Sequence, residues 1–108
     1  GEHIEVAMGR KLFVPRSRNG VCWFDFEALC QTNVGTSDYL ALATQFHSLI
    51  LRGVPVMQND QPHARRFVNL VDILYDTHTR LIVSADAGVD NLLQDVSRTP
   101  AAASATVY

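Results

Sequence analysis

The chain has 108 residues, enough for one domain with a single hydrophobic core and too few for two. Hydrophobic residues make up 47% and charged residues 19%, which is a globular composition rather than a disordered one. Nine basic and eleven acidic side chains give a formal net charge of −2, so we expect no nucleic-acid partner. No apolar run approaches the roughly 18 residues that a membrane-spanning helix needs, and we expect no membrane span.

The first third of the chain predicts β-structure. Strand-like segments lie at residues 3–8, 11–14 and 21–26. Asn19-Gly20, between the last two segments, favours the left-handed backbone of a tight hairpin turn. The sequence therefore predicts an N-terminal β-hairpin in which segments 11–14 and 21–26 pair.

Two short helices and a buried strand follow. Asp25 is expected to cap a first helix over residues 26–31, and Thr36 or Ser37 is expected to cap a second. Residues 48–52 show no alternation, which is typical of a strand that is buried on both faces. The second helix has apolar positions at helical spacing, namely Leu40, Ala43 and Phe46 with His47.

The clearest periodicity begins after residue 60. Asp60 is expected to cap a helix of about four turns, with Pro62 in its first turn. An apolar stripe recurs at steps of three and four residues, formed by Ala64, Phe67, Val68, Val71, Leu74, Tyr75 and His78. Polar residues occupy the opposite side, namely Arg65, Asn69, Asp72 and Asp76.

The last elements complete an α/β fold. Residues 80–84 predict a strand without clean alternation, so segments 48–52 and 80–84 flank the long helix as a parallel crossover. Asp86 or Asp90 is expected to cap a C-terminal helix with Val89, Leu92, Leu93 and Val96 on one face. We expect one α/β domain over residues 1–96 and a loose Ala/Ser/Thr tail over residues 97–108.

Autonomous chemistry is missing from the sequence. The single lysine, Lys11, has no glycine-rich loop near it, and no phosphate-binding or dinucleotide fingerprint is present. The four histidines, at positions 3, 47, 63 and 78, have no metal-ligand spacing, so no metal site is expected. Cys22 and Cys30 form no Cys-x-x-Cys pair and are expected to be thiols. A hydrolase that uses Cys30 with His47 is a weak alternative, because nothing in their spacing favours a nucleophile pair.

Arg65 and Arg66 are the most informative polar residues. Both lie in the first turns of the long helix, where the helix dipole disfavours cations. The structural interpretation is that they lie on a solvated face, neutralised by Asp60 or Asp38, with the stem of Arg66 packed on the apolar stripe. The functional interpretation is that one of them reaches a phosphate or carboxylate outside the domain.

Five sequence blocks occur in order along the chain, namely Gly9-Arg-Lys-Leu-Phe-Val-Pro15, Val21-Cys-Trp-Phe-Asp-Phe-Glu-Ala-Leu-Cys30, Gly35-Thr-Ser-Asp-Tyr39, Ala64-Arg-Arg-Phe-Val-Asn-Leu-Val-Asp-Ile-Leu-Tyr-Asp76 and Leu81-Ile-Val-Ser-Ala85. Together they resemble the C-terminal region of the ZapE-type AAA+ ATPases, a family with bacterial cell-division members and mitochondrial relatives linked to protein quality control. The resemblance covers about residues 4–95, and the residues of the blocks are closer to the eukaryotic mitochondrial members.

The resemblance implies part of an ATPase. Family members carry the phosphate-binding loop and the Mg-holding acidic motif upstream of this region, so ATP and Mg would be cofactors of the parent protein and not of this chain alone. The implied partners are the upstream ATPase core and, in a ring, further copies of the parent. Arg65 and Arg66 are the implied contacts to nucleotide phosphates or to a neighbouring subunit. The implied location is mitochondrial in a eukaryote and cytoplasmic in a bacterium.

Two main hypotheses follow. In the first, the chain is the C-terminal subdomain of such an ATPase, assists hydrolysis and partner binding in the full-length protein, and is inactive alone. In the second, it is a free-standing protein–protein interaction module that binds a partner through the hairpin and has no role with nucleotide. An upstream phosphate-binding loop in the same reading frame would favour the first hypothesis.

Overall fold

A computed structural model describes residues 1–58, 60–85 and 106–107 of the chain. Its elements alternate between strands and helices after an all-β start, so the α/β prediction is confirmed. The strands are β1 (Glu2–Glu5), β2 (Lys11–Val14), β3 (Arg16–Arg18), β4 (Val21–Asp25), β5 (Ser48–Val54), β6 (Arg80–Ala85) and β7 (Thr106–Val107). The helices are α1 (Phe26–Cys30), α2 (Thr36–Gln45) and α3 (Pro62–Asp76), and a 3₁₀ turn covers Ala7–Gly9.

The strands form two sheets. β1 and β2 pair antiparallel in a small sheet of their own, while β3-β4-β5-β6-β7 form a five-stranded sheet in that order. β3 pairs antiparallel with β4, and β4, β5, β6 and β7 run parallel to one another. The predicted parallel crossover from β5 through α3 to β6 is confirmed, and a second one runs from β4 through α1 and α2 to β5.

The predicted hairpin turn is present, but its first strand differs. Asn19 and Gly20 both have positive φ, 52° and 81°, as a two-residue hairpin turn requires. The partner of β4 is β3, not segment 11–14. Pro15 separates these two segments and has no N–H for a ladder, so segment 11–14 ends there and pairs with β1 instead.

The core lies between the five-stranded sheet and the helices. Alternate residues of β4, β5 and β6 point to that side, where they meet the buried faces of α1, α2 and α3. On α3 the predicted stripe is confirmed at Ala64, Phe67, Val71 and Leu74. Two of its members were misplaced, because Tyr75 is 42% exposed and His78 lies beyond the helix with a φ of 58°. Leu70 takes a buried place in that stripe.

The predicted apolar face of α2 is confirmed at Ala43 and Phe46, which are half-buried against the core, and wrong at Leu40. Leu40 is 46% exposed, whereas Tyr39 and Leu42 are buried in the core. One residue rotates a helix by about 100°, so a shift of one position moves the buried face away from Leu40. Asn69 on α3 also differs from its prediction, because it is half-buried and donates to the Thr36 hydroxyl at 3.0 Å.

The helix caps also differ from the sequence prediction. Asp25 holds the N-cap position of α1, but its carboxylate pairs with Arg52 at 3.1 Å and makes no cap hydrogen bond. Gly35, rather than Thr36 or Ser37, is the N-cap of α2. Gln61, rather than Asp60, is the N-cap of α3. These positions depend on backbone conformation at one residue, which propensity alone does not fix.

The predicted C-terminal helix over residues 86–96 lies outside the described residues. Of the tail at residues 97–108, the structure describes only Thr106–Val107, which pair in parallel with Ile82 and Val83 of β6. Every helix in the described part of the chain is too short or too polar to cross a membrane.

Candidate functional site

Arg65 and Arg66 lie in the first turn and a half of α3, directly after its N-cap Gln61. Successive residues of a helix point about 100° apart, so the two guanidinium groups leave the helix in different directions. Arg65 is exposed and Arg66 is half-buried. The sequence could not distinguish them, and this difference in burial does.

Arg66 is held by the end of a neighbouring helix. Its Nη1 donates to the carbonyl oxygen of Cys30 at 3.2 Å. Cys30 is the last residue of α1, where carbonyl groups have no partner within the helix, so a charged donor there satisfies an otherwise free acceptor. Arg66 therefore fastens the start of α3 to the end of α1.

The side chains of Cys30 and Tyr39, which are buried next to this contact, are neutral. Burial raises the pKa of the Cys30 thiol to about 12, against smaller opposing effects of the Tyr39 hydrogen bond and the Arg66 charge. Burial also raises the pKa of Tyr39, whose hydroxyl donates to the Leu29 carbonyl. The Cys30 thiol is thus a protonated core residue rather than a nucleophile.

The weak hydrolase alternative fails on this geometry. Both ring nitrogens of His47 are engaged elsewhere, Nε2 with the Asn19 carbonyl at 3.0 Å and Nδ1 with the Ser48 hydroxyl at 2.9 Å. The imidazole, which directly precedes β5, therefore contacts the hairpin turn between β3 and β4 and has no hydrogen bond to Cys30. Cys22 and Cys30 are both free and buried, as predicted.

Arg65 has no intramolecular neutraliser among the described residues. Asp38, one of the two candidates, is 1% exposed and accepts from Arg10 at 3.1 and 3.2 Å and from the Gly35 N–H at 2.9 Å. Asp60 is exposed, and the ion pairs of the described chain involve neither it nor Arg65. No described residue therefore explains why the Arg65 cation lies near the positive, N-terminal end of α3.

The ion pair of Arg10 with Asp38 is the feature that sequence reasoning missed. Asp38 is the third residue of α2, and its carboxylate caps the helix through the Gly35 N–H while it binds Arg10 from the turn after β1. A surface cavity of about 230 Å³ adjoins the pair, lined by Arg10, Asn33, Val34, Gly35, Thr36, Ser37 and Asp38. An acidic residue three positions after a helix cap is a recognisable capping signal, but its partner 28 residues away is not.

A metal centre has no candidate ligands in the part of the chain that the structure describes, since no three His, Cys, Asp or Glu side chains cluster there. Arg65 and Arg66 are guanidinium groups, which bind carboxylates or phosphates and not cations. The arrangement at the start of α3 is therefore suited to an anionic partner.

Comparison with known proteins identifies the family of the chain. The sequence model of the AFG1-like ATPases matches residues 1–101, which is most of the chain. The chain therefore belongs to the AFG1-like ATPase family, and its relatives include cell-division proteins named ZapE, as the sequence blocks indicated. No solved structure matches the chain.

The relatives come from eukaryotes and bacteria. An uncharacterized protein of Schizosaccharomyces pombe is 37% identical over 92 residues, covering 84% of this chain and 20% of the relative. Lactation elevated protein 1 homolog B of Danio rerio is 37% identical over 86 residues, covering 79% and 17%. Cell division protein ZapE of Escherichia coli K12 is 40% identical over 70 residues, covering 64% and 19%. The chain thus spans about a fifth of the length of these relatives.

Proposed function

We propose that this chain is the C-terminal subdomain of an AFG1-like ATPase, assists ATP hydrolysis and partner binding in the full-length protein, and has no activity alone. The observation that carries the proposal is the family match over residues 1–101, in a chain that spans about a fifth of its relatives. ATP and Mg would then bind in the upstream ATPase core. This sequence contains no phosphate-binding loop that could hold either of them.

Arg65 is the residue that we assign to the anionic contact. It is exposed at the positive end of α3, and no described residue neutralises it. Its target would be a nucleotide phosphate in the core or a carboxylate of a neighbouring subunit. Arg66 would act through position, because its hydrogen bond to the Cys30 carbonyl orients the turn from which Arg65 extends.

The surroundings of the parent follow from the same proposal. Its partners would be the upstream ATPase core and, in an oligomer, further copies of the protein. A mitochondrial location with a role in protein quality control is proposed if the source is eukaryotic, and a cytoplasmic location if it is bacterial, because the relatives come from both kinds of organism.

The test is a rate of ATP hydrolysis measured on the full-length protein. Arg65→Ala should lower the turnover tenfold or more, the order expected when a phosphate-directed arginine is lost. Arg65→Lys should recover part of that loss, since it restores charge without the guanidinium fork. Lys11→Ala is the matched control, because it also removes one exposed cation from the domain. Parental turnover in a folded Arg65→Ala protein would reject this assignment.

A further inference from the structure

The two faces of the five-stranded sheet have different surroundings. On one face, the side chains of β4, β5 and β6 enter the core together with residues from β2 and the three helices. The opposite face contains Trp23, Ile50 and Ile82, which lie in one row because they are register partners across the three strands. All three are half-buried, whereas their sequence neighbours Phe24, Leu51 and Val83 are at most 1% exposed.

Arginines surround this apolar row. Arg16 lies opposite Trp23 in the hairpin, with its guanidinium carbon 4.5 Å from the centre of the indole ring. Arg18 lies opposite Val21, and Arg80 belongs to the same register row as Val21. Arg52 lies two residues after Ile50, on the same side of β5. We call this surface the arginine-rich face and define it by Arg16, Arg18, Val21, Trp23, Ile50, Arg52, Arg80 and Ile82.

The arginine-rich face is strongly positive in an acidic chain. It carries four of the eight arginines, all exposed, although the formal net charge of the protein is −2. Asp25 is its one described carboxylate, and it is already paired with Arg52 at 3.1 Å. An aliphatic and aromatic centre with a cationic rim is complementary to an apolar stripe with acidic flanks.

Sheet physics indicates that such a face needs a cover. Strands that are parallel to both neighbours occur almost only in sheets with both faces covered. Right-handed crossovers from β4 to β5 and from β5 to β6 place their helices on the same side, and the core confirms that α1, α2 and α3 share it. Among the described residues, the buried parts of β2 and the helices all belong to that other side.

We propose that the arginine-rich face docks on the remainder of the AFG1-like polypeptide, against an apolar segment with acidic flanks. This rests on the proposed function, since it takes the occupant from the four fifths of the relatives' length that lie outside their match to this chain. The aliphatic pair Ile50 and Ile82 favours a protein surface over a single-stranded nucleic acid, whose bases stack on aromatic side chains. The central row would be the dry core of the contact and the arginines its rim.

Hydroxyl-radical footprinting of the full-length protein, read by mass spectrometry, tests this docking directly. In the wild-type protein, Trp23 and Ile50 should be protected as strongly as the core residue Phe67, once each rate is divided by the intrinsic reactivity of its side chain. In an Arg16→Glu/Arg80→Glu variant, the reversed charges should repel the acidic flanks and release the docked segment. The oxidation of Trp23 and Ile50 should then rise roughly fivefold, because the dense packing of an interface core no longer protects them. Phe13, which is 50% exposed on β2, should react equally in both proteins.

The controls separate charge from folding and one occupant from another. Lys11→Glu reverses an exposed charge away from the face and should leave Trp23 protected. Arg18→Glu is the second variant if the double one melts early. Fast oxidation of Trp23 in the wild-type protein overturns the proposal. So does protection that disappears on dilution, which indicates a second copy, or on nuclease treatment, which indicates nucleic acid. A rise in Trp23 oxidation in a full-length Leu92→Asp/Val96→Asp variant also overturns it, because the cover is then residues 86–96 of this chain. The footprint is independent of hydrolysis, so an Arg65→Ala protein of parental turnover that keeps Trp23 protected would reject the catalytic assignment and retain the docking.

Discussion

The ion pair between Arg10 and Asp38 provides the sharpest stability test, because its two partners differ in exposure. The carboxylate is 1% exposed and the Arg10 side chain 55% exposed. Arg10→Ala leaves a buried charge whose remaining described partner is the Gly35 N–H. Asp38→Asn removes the charge from the interior, keeps an oxygen for the Gly35 N–H and leaves Arg10 accessible to water.

The expected costs follow from this asymmetry. Removing one partner of a fully buried pair costs about 3–5 kcal/mol, since an uncompensated charge is left behind. In the Arg10→Ala variant, water can enter the volume that the half-exposed Arg10 side chain leaves and can partly solvate the Asp38 carboxylate. We therefore expect a lower cost, of about 2–3 kcal/mol, for Arg10→Ala. Asp38→Asn loses one charged hydrogen bond and part of a helix cap, which amounts to about 1 kcal/mol. Arg10→Ala should therefore be the more damaging change.

Equilibrium urea unfolding of the chain, followed by the fluorescence of its single tryptophan, measures both free energies of unfolding. For a domain of this size, Arg10→Ala should lower the melting temperature by roughly 10–20 °C. Lys11→Ala is the control for loss of a neighbouring exposed cation. If Asp38→Asn destabilises the chain as much as Arg10→Ala or more, the cost does not arise from a stranded carboxylate and the reasoning is wrong.

Four further outcomes are expected. Val71→Asp should cost several kcal/mol, because it buries a carboxylate at a 3% exposed position, whereas Asn69→Asp should cost under about 1 kcal/mol, since the Thr36 hydroxyl can donate to it; equal melting temperatures would contradict the phase of α3. Cys22 and Cys30 should resist alkylation in the native chain and both react after unfolding without reductant; a species two hydrogens lighter would indicate a disulfide. Because burial raises the pKa of both thiols from 9.0 to about 12, the unfolded chain ionises first, and stability should fall as the pH rises through that window, less steeply in a Cys30→Ala variant. The chain alone should show no ATP turnover above buffer, and turnover that an Arg65→Ala/Arg66→Ala variant lacks would overturn the assignment of hydrolysis to the parent.

The parts of the fold that could be predicted are those that depend on the spacing of hydrophobic residues along the chain. The strong stripe of α3 and the two apolar strands beside it were enough to predict the parallel crossover. The caps were predicted only in part, because Asp25 holds the N-cap position of α1 but its carboxylate pairs with Arg52 instead of accepting from the helix amides. Leu40 was misplaced on α2 because Tyr39 takes the buried position before it, where its hydroxyl donates to the Leu29 carbonyl, a contact that composition does not show.

The candidate site, too, could be predicted only where local sequence decides it. Helix position identified Arg65 and Arg66 as unusual, because two cations at a helix N-terminus conflict with the dipole. Which of them is committed to the fold depends on the Cys30 carbonyl, 36 residues earlier in the chain. A contact of that separation is fixed by the packing of α1 on α3, and no local pattern contains it.

Four of the five sequence blocks that carry the family resemblance are joined by side-chain hydrogen bonds near the ends of the three helices. Each of three side-chain hydrogen bonds joins two different blocks, namely Arg10 with Asp38, Arg66 with Cys30, and Asn69 with Thr36. Shared sequence in this region therefore has a structural explanation at Arg66, and a slow Arg66→Ala enzyme would not by itself reveal a role with nucleotide. Arg65 belongs to the same block but makes none of these bonds. A loss of turnover at Arg65 without a change in melting temperature is thus the result that would separate chemistry from folding.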